Sequence, residues 1–596
     1  MSKKIKIMNI RYNNLLVGGL LGLLAIFSIS SCSDDHFDVG TQTEASGTLW
    51  DNLVATQKCD DFALILQKTL VAKKDYGIPA TLTYDALLRS DHVLTVWAPI
   101  DGTYDAQKWL DLLEAGDNET VEQQFVGNHI AYFNYTGSFP QNQKVMLSNH
   151  KYADYDHSVM PNTFQDREIL SEYEKPSTNG TLHVIDSISV FLPNLREILA
   201  MHDNLSSLYE CVENHDTVYF NENASVIGSV VDGVVHYVDS VFYDYNVIYP
   251  TIAENEDSCC AAILPSNNAW QQAMTAITPH YKYKNRYYYV TSTSANVLQT
   301  DTIAADSLQE IRAISAVINN MFYSLDEQPA FDVKKASVET VGEFFRTCDS
   351  LVSKTYYRSN YKYHQHATGD LVSCRDLAEG KDPIEASNGY AFITDNFNFK
   401  SPNSWKFDLE YEAEYNSNLQ ENGQFAANYS SHNTIFVTDA IRNPYVEGSI
   451  SNNRYVDFLP NNSSSRITVA FNLTGTLSGR YDIYVVTVPE NMIDSLNTNP
   501  KSSVFTATIN SDFTPSKRDA SKVEIGTKLT SKTFTTDKTK VDTILLFEDY
   551  EFPICYYGIS GPAPVLQLQS QFRTMQSRVQ TPHLYIDKII LKSKDE

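Results

Sequence analysis

The sequence predicts a multidomain α+β protein whose C-terminal part is an antiparallel β-sandwich. Three observations predict this class. The 596 residues are enough for three or four domains that each bury a core of their own. Up to residue 403, apolar residues alternate between helical spacing and short buried runs. From residue 404 onward, short strands follow one another between Asn, Ser, Gly and Pro residues.

The first globular stretch, residues 48–195, predicts helices packed on short strands. Residues 93–99 form an apolar run that ends at a proline, which predicts a buried strand, and residues 101–113 predict the helix after it. Apolar residues at helical spacing between 121 and 133 predict another helix. A closing strand is predicted for residues 181–190, after an Asn-Gly turn.

Three short signatures in this stretch resemble those of fasciclin domains. Residues 95–101 read Thr-Val-Trp-Ala-Pro-Ile-Asp, which is similar to the strand and polar turn that precede a helix in that family. Residues 127–130 contain His129 and resemble the central helix, whereas residues 179–186 contain His183 and resemble the closing strand. The resemblance implies a compact α/β fold with a helical layer on a β-wedge. It also implies that both histidines tie strands together through buried hydrogen bonds; the open alternative is a pair of ligands or catalytic residues.

Residues 196–403 resemble a second, divergent fasciclin-like domain. Residues 261–270 repeat the pattern of strand, proline, polar turn and helix. Residues 317–320 take the place of the central helix and residues 387–395 that of the closing strand, but the histidines are missing from both. Residues 232–239 look like a closing strand in the wrong order, so we predict that they belong to an inserted β-hairpin.

Residues 404–596 predict the β-sandwich. Its strand candidates alternate apolar and polar residues and are 467–473, 481–488, 504–509, 541–547 and 584–591. The last of them resembles the final strand of galactose-binding-like jelly rolls, which often bind sugars, and so implies a jelly-roll-like sandwich. Tyr556 and Tyr557 are candidates for rings that stack on a sugar face; the alternative is ordinary core or rim tyrosines.

The N-terminus predicts export and lipidation. Basic residues are followed by an apolar run too short to span a bilayer comfortably, so residues 1–31 are predicted to be a cleaved signal peptide. Residues 29–32 resemble a bacterial lipobox, which implies acylation of Cys32; the alternative is an ordinary secretory signal. The following Ser33, Asp34 and Asp35 resemble a surface-export signal of bacteria that build SusC/SusD-type importers. Residues 32–47 are polar and predict a lipidated tether.

Charge and cysteine usage exclude several classes of site. A net charge of −27 argues against nucleic-acid and anionic-membrane partners, which need concentrated Lys and Arg. Seven cysteines besides Cys32 are too sparse for a disulfide framework, although Cys348 and Cys374 can pair. His364 and His366 would share one face of a strand, but no third ligand is evident nearby, so no metal site and no cofactor are predicted.

Catalytic motifs are missing from the sequence. It contains no nucleophile elbow, zinc-protease helix, phosphate-binding loop or dinucleotide fingerprint, and we therefore predict no catalytic residues and no enzymatic activity. The expected function is that of an outer-membrane lipoprotein facing the medium, an accessory of a SusC/SusD-type TonB-dependent nutrient uptake complex. It would capture glycan or peptide or dock on the transporter. The alternatives are an adhesin for matrix or other cells and a polysaccharide-degrading enzyme.

Overall fold

The structure is a computed structural model, and its described residues form two compact units. One unit reaches Phe191 and the other begins at Leu192. The described residues are 45–71, 82–136, 142–158, 160–220, 226–231, 234–239, 242–246, 248–284, 287–292, 295–300, 305–325, 331–347, 351–352, 371–372, 377–396, 405–515, 523–559 and 563–594.

The first unit combines short helices with two small sheets. Its described helices are α1 (Leu49–Thr56), α2 (Asp60–Lys68), α3 (Tyr84–Arg89), α4 (Ala106–Glu114) and α5 (Asn118–Val121). Its described strands are β1 (Leu94–Pro99), β2 (Ile130–Tyr132), β3 (Gln143–Met146), β4 (Tyr152–Asp156), β5 (Thr163–Phe164), β6 (Arg167–Glu168), β7 (Lys175–Ser177) and β8 (Gly180–Ile185).

The central sheet of this unit has the order β2-β1-β8-β7, and its middle strands β1 and β8 are parallel. Every residue of both middle strands is buried, because the two faces of the sheet are covered by different layers. The helices pack on one face, and strands β3 to β6 supply the apolar residues on the other. Side chains that alternate along each strand therefore enter two separate apolar clusters.

One helix predicted for this unit was wrong at its C-terminal end. The helical spacing predicted a helix up to residue 133, but the helical turns end at His129 and Ile130–Tyr132 form β2. The antiparallel pairing of Ile130 with Val96 explains the change. Apolar residues suit both structures at such short range, and pairing with a fully buried strand satisfies the backbone hydrogen bonds of this segment.

The second unit begins with a larger α/β part. Its described helices are α6 (Ile198–Met201), α7 (Ser206–Glu213), α8 (Asn267–Ile277), α9 (Ala305–Ile318) and α10 (Val338–Thr347). Its described strands are β9 (Asp216–Phe220), β10 (Val226–Val231), β11 (Val234–Asp239), β12 (Phe242–Asn246), β13 (Cys260–Pro265), β14 (Tyr287–Ser292), β15 (Ala295–Thr300), β16 (Phe322–Ser324), β17 (Leu351–Val352), β18 (Leu371–Val372), β19 (Ile384–Ala386) and β20 (Gly389–Thr394). The antiparallel pairing of β11 with β10 confirms that residues 234–239 form a strand of a β-hairpin, as predicted.

The central sheet of this part repeats the sheet of the first unit. Its order is β16-β13-β20-β19, again with a parallel pair in the middle. Leu94 pairs with Gly180 in the first sheet as Cys260 pairs with Gly389 in the second. We call the parts that carry these sheets the first and second repeats.

Backbone contacts around the two sheets are repeated as well. Asn179 accepts a hydrogen bond on its side chain from the Leu49 amide at 2.8 Å, and Asn388 accepts one from the Leu195 amide at 3.0 Å. Each asparagine carbonyl also accepts the amide of the first residue in the neighbouring strand. These buried hydrogen bonds join the start of each repeat to its closing hairpin. The two repeats therefore share a hydrogen-bond pattern as well as a strand order.

The C-terminal part of the second unit is β-rich. Its described strands are β21 (Leu409–Glu412), β22 (Ser431–Phe436), β23 (Arg454–Leu459), β24 (Thr468–Asn472), β25 (Gly479–Thr487), β26 (Ser502–Pro515), β27 (Val523–Thr535), β28 (Asp542–Phe552), β29 (Val565–Ser570), β30 (Gln580–Thr581) and β31 (Leu584–Ser593). Among these described strands, all pairings are antiparallel apart from that of β26 with β30.

Two sheets of this part enclose one core. One sheet has the order β22-β23-β31-β25-β28, and the other has the order β24-β29-β26-β27. Inward side chains of both sheets, such as Ile589 and Leu566, belong to one apolar cluster. The chain is therefore of mixed α and β structure, with several antiparallel sheets and a β-rich C-terminal region.

Candidate functional site

The predicted lipidation site lies outside the described residues. This applies to Cys32, to the export signal Ser33, Asp34 and Asp35, and to the signal peptide, residues 1–31. His364, His366 and the cysteines at 348 and 374 also lie outside the described ranges. Within those ranges, no helix has the length and apolar character needed to cross a membrane.

His129 is a buried link between the end of the helical turns and the segment after β8. Its Nδ1 lies 2.7 Å from the Phe125 carbonyl, and its Nε2 accepts a hydrogen bond from the Ser189 amide at 3.0 Å. An acceptor at Nε2 requires the proton to be on Nδ1, which donates to the carbonyl. Complete burial lowers the pKa of His129 to about 4, so the ring is neutral at pH 7.

His183 has a different set of protein partners. Its Nε2 lies 3.0 Å from the Tyr135 carbonyl, its Nδ1 lies 3.5 Å from the Glu174 carboxylate, and its ring stacks on Trp97. Burial lowers the pKa of His183 to about 4. Both histidines are thus neutral and fully buried, and each contacts a backbone carbonyl. His129 uses both ring nitrogens in backbone hydrogen bonds, whereas Nδ1 of His183 has no hydrogen-bond partner among the described residues.

Tyr556 and Tyr557 lie where the second repeat meets the β-sandwich. Tyr556 is 6% exposed, and its hydroxyl accepts a hydrogen bond from the Asp512 amide at 2.7 Å. Tyr557 is half-buried, the Tyr281 ring packs edge-on against it, and its carbonyl accepts a hydrogen bond from the Tyr283 hydroxyl at 2.8 Å. These contacts are those of core and rim tyrosines, and they leave the Tyr556 ring little surface on which a sugar can stack.

The same joint fixes the second repeat to the sandwich through the backbone. The Ser478 amide donates to the His280 carbonyl at 2.9 Å, and His280 Nδ1 lies 2.9 Å from the Ser478 carbonyl. The Cys555 amide donates to the Lys282 carbonyl at 2.7 Å. These bonds join segments about 200 residues apart or more, which explains why the second repeat and the sandwich form one compact unit.

The described thiols whose pKa is shifted are poor nucleophiles. Burial raises the pKa of Cys555 to about 11, that of Cys211 to about 11 and that of Cys59 to about 12. Because only the thiolate is reactive, these three side chains stay protonated and inert at neutral pH.

A buried carboxyl group in the sandwich was missed in the sequence. Asp587 lies in β31, is 1% exposed, and accepts the Ser451 amide with both oxygens at 3.0 and 3.2 Å. Burial raises its pKa to about 7, and the charges of Glu412 and Glu414 add to that rise. The signal that could have found it is one acidic residue inside the apolar run of residues 584–591.

The surroundings of Asp587 are acidic but do not amount to a metal site. Glu412 accepts the Ser451 hydroxyl at 2.6 Å, and one oxygen of Glu412 and one of Glu414 are buried without a hydrogen-bond partner. Among the described residues, no group of three or more His, Cys, Asp or Glu side chains is placed to hold a metal ion.

Comparisons with known proteins give no family for this chain. No family model matches it, and no curated protein matches it. Among solved structures, part of the chain is similar to a xanthan lyase of Paenibacillus at 16% identity and a TM-score of 0.19. That alignment covers 35% of this chain and only 16% of the lyase, so it carries no argument about fold or activity.

Proposed function

We propose that this protein is a surface-exposed outer-membrane lipoprotein that serves a SusC/SusD-type TonB-dependent uptake complex without catalysing a reaction. One observation carries the proposal: an ordered export signal ends at Cys32, and Ser33, Asp34 and Asp35 follow it. Acyl chains on Cys32 would hold the protein in the outer membrane, and the acidic residues would direct it to the face in contact with the medium.

The finer fold belongs to the same proposal. We infer that the two repeats are fasciclin-like domains, the second of them divergent, and that the sandwich is jelly-roll-like. The inference is supported by the three sequence signatures of the first repeat and by the shared sheet order of the two repeats. Domains of this kind offer rigid surfaces for capture of glycan or peptide or for contact with a transporter.

Membrane anchorage makes weak contacts sufficient for this role. A lipoprotein and a transporter in one membrane meet at a high effective concentration, so contacts that are weak in solution become occupied. The net charge of −27 keeps the protein from nonspecific association with acidic surfaces.

The test compares three forms of the protein in cells that carry the transporter: wild type, Cys32→Ala, and Asp34→Asn with Asp35→Asn. We expect wild type to be acylated, to be cut by protease added to intact cells and to copurify with the transporter. Cys32→Ala should lose the acyl chains and the membrane association together. The double Asn variant should keep the acyl chains but lose protease accessibility.

Other outcomes would point to other functions. A wild-type protein that is freely secreted or never copurifies with such a transporter would contradict the proposal. Binding to matrix proteins instead of glycans or peptides would favour an adhesin, and release of product from a polysaccharide would favour an enzyme.

A further inference from the structure

Three exposed apolar residues lie at one end of the first repeat's central sheet. Val93 is 52% exposed, Tyr132 is 47% exposed and Phe133 is 72% exposed. The Phe133 amide donates to the Val93 carbonyl at 3.1 Å, and Tyr132 pairs with Leu94, the residue after Val93. Val93 and Phe133 lie opposite each other on paired strands, and we call these two residues the Phe133 patch. Tyr132 lies on the other face of the sheet, the face of Ile130.

The backbone of Phe133 is fixed in an unfavourable conformation. Its φ is +84°, in a region that residues other than glycine rarely adopt. The Thr95 hydroxyl donates to the Phe133 carbonyl at 2.8 Å and accepts the Tyr135 amide at 2.8 Å, so both sides of the turn are held by one buried residue. Such strain, maintained around an exposed aromatic ring, points to a function of the ring itself. A ring presented from a rigid backbone loses little freedom on binding.

The equivalent position of the second repeat is buried in an apolar cluster. The Leu325 amide donates to the Cys259 carbonyl at 3.0 Å, as the Phe133 amide does to that of Val93, so Leu325 is the equivalent of Phe133. Leu325 is 0% exposed and shares an apolar cluster with Val341 and Phe345 of helix α10. These two residues are four positions apart and therefore lie on one face of the helix.

We propose that the Phe133 patch docks an amphipathic helix of a partner protein, one that presents two apolar side chains four positions apart and flanks them with Lys or Arg. The apolar part of this description follows from the apolar cluster that Leu325 shares with Val341 and Phe345. The basic part follows from charge, because residues 45–191 contain 20 Asp and Glu against 10 Lys and Arg, and exposed Asp91 lies two residues before Val93. An exposed aromatic anchor on an acidic domain fits such a helix.

The test uses the full chain made without lipid by Cys32→Ser, so it does not depend on the proposed anchorage. The probe is a fluorescent, stapled helical peptide with the sequence of residues 337–347, in which Glu339→Lys and Glu343→Lys supply the basic flanks. Fluorescence anisotropy should show saturable binding that weakens at least tenfold in Phe133→Asn. Phe436→Asn should bind as wild type does, because Phe436 is another exposed phenylalanine, 54% exposed, in the sandwich.

A loss of folding would not imitate this result. Asn tolerates positive φ better than Phe, so Phe133→Asn should melt at the same temperature as wild type or slightly higher. A peptide that fails to bind wild type, or that binds Phe133→Asn equally well, would overturn the proposal. So would Phe133-dependent binding of the chain to vesicles of phosphatidylethanolamine and phosphatidylglycerol without binding of the peptide, because the patch would then be a membrane contact.

Discussion

The two repeats contain sheets of the same strand order but fill them with different side chains. Their comparison separates the residues that the fold requires from those that are particular to one repeat. His129 and His183 of the first repeat correspond in register to Met321 and Phe392 of the second. All four side chains are 0% exposed. A neutral, hydrogen-bonded imidazole and an apolar side chain thus fill the same place, so the fold itself does not demand histidine there.

What the repeats keep in common lies at the start of the closing strand. Asn179 and Gly180 in the first repeat and Asn388 and Gly389 in the second make the same contacts with the neighbouring strand. The comparison therefore predicts that a change at the shared Asn or Gly destabilises the repeat that contains it, and does so to a similar extent in both repeats. A change at either histidine affects only the first repeat.

The largest expected effect comes from adding a methyl group to the shared glycine. A Cβ on Gly180 would lie 1.8 Å from the Leu94 carbonyl oxygen, and one on Gly389 would lie 2.0 Å from that of Cys260. Gly180→Ala and Gly389→Ala should each destabilise their own repeat by about 4 kcal/mol, because two backbones must separate. Hydrogen exchange of peptides from β1 and β13, read by mass spectrometry, resolves the two repeats in one molecule.

Gly102→Ala is the control for this measurement. Gly102 also has a positive φ, +78°, but nothing lies within 4 Å of an added Cβ. Gly102→Ala should lower the free energy of unfolding by only about 1 kcal/mol, because a residue with a Cβ is less favourable than glycine in the left-handed conformation. Equal hydrogen-exchange rates in Gly102→Ala and Gly180→Ala would show that the close approach of the two strands is not the cause of the destabilisation.

The next effect concerns the shared asparagine. The Asn179 side chain accepts the Leu49 amide and donates to the Leu88 and Ser90 carbonyls. Asn179→Ala should cost about 3 kcal/mol, because it leaves buried backbone groups without partners, and Asn388→Ala should cost a similar amount in the second repeat. The same exchange experiment measures both. A large loss of stability in one repeat and none in the other would show that Asn179 and Asn388 are not equivalent.

A pH-dependent difference is expected at His129. Because burial lowers its pKa from 6.5 to about 4, the folded state resists protonation. Its contribution to stability is present above pH 6.5 and is lost as the pH falls towards 4, by about 3 kcal/mol over that interval. His129→Met, which copies the second repeat, should lose stability at pH 7.5 but show a shallower decline towards pH 4.

Urea denaturation at several pH values measures this slope, with Trp50, Trp97 and Trp109 as reporters in the first unit. His92→Met is the matched control, because His92 is exposed in the same unit. A His129→Met protein that declines as steeply as wild type would show that other groups cause the acid sensitivity.

The sequence was sufficient to predict local helices and strands but not the tertiary contacts between distant segments. Apolar runs and the Asn-Gly pair located β1 and β8, because strand patterning and turn chemistry are local properties. Neither the burial of Leu325 in a cluster with residues of α10 nor the hydrogen bonds between His280 and Ser478 could be predicted, since each depends on segments far apart in the chain. For the same reason Tyr556 could be chosen for its residue type but not for its exposure.

The smallest expected effect lies where each repeat begins. Thr48 and Asp51 exchange hydrogen bonds between side chain and backbone, and Asn194 and Glu197 do the same at the second repeat. Thr48→Ala should cost about 1 kcal/mol, the usual contribution of a helix cap. Asn194→Ala should cost somewhat more, because Asn194 is 8% exposed and its partners are less accessible to water. Thr48 is the N-cap of α1, whereas Asn194 lies three residues before Glu197, the N-cap of α6. Hydrogen exchange of the amides in α1 and α6 tests the order of the two effects, and a larger loss for Thr48→Ala would mean that the burial of Asn194 does not strengthen its hydrogen bonds with Glu197.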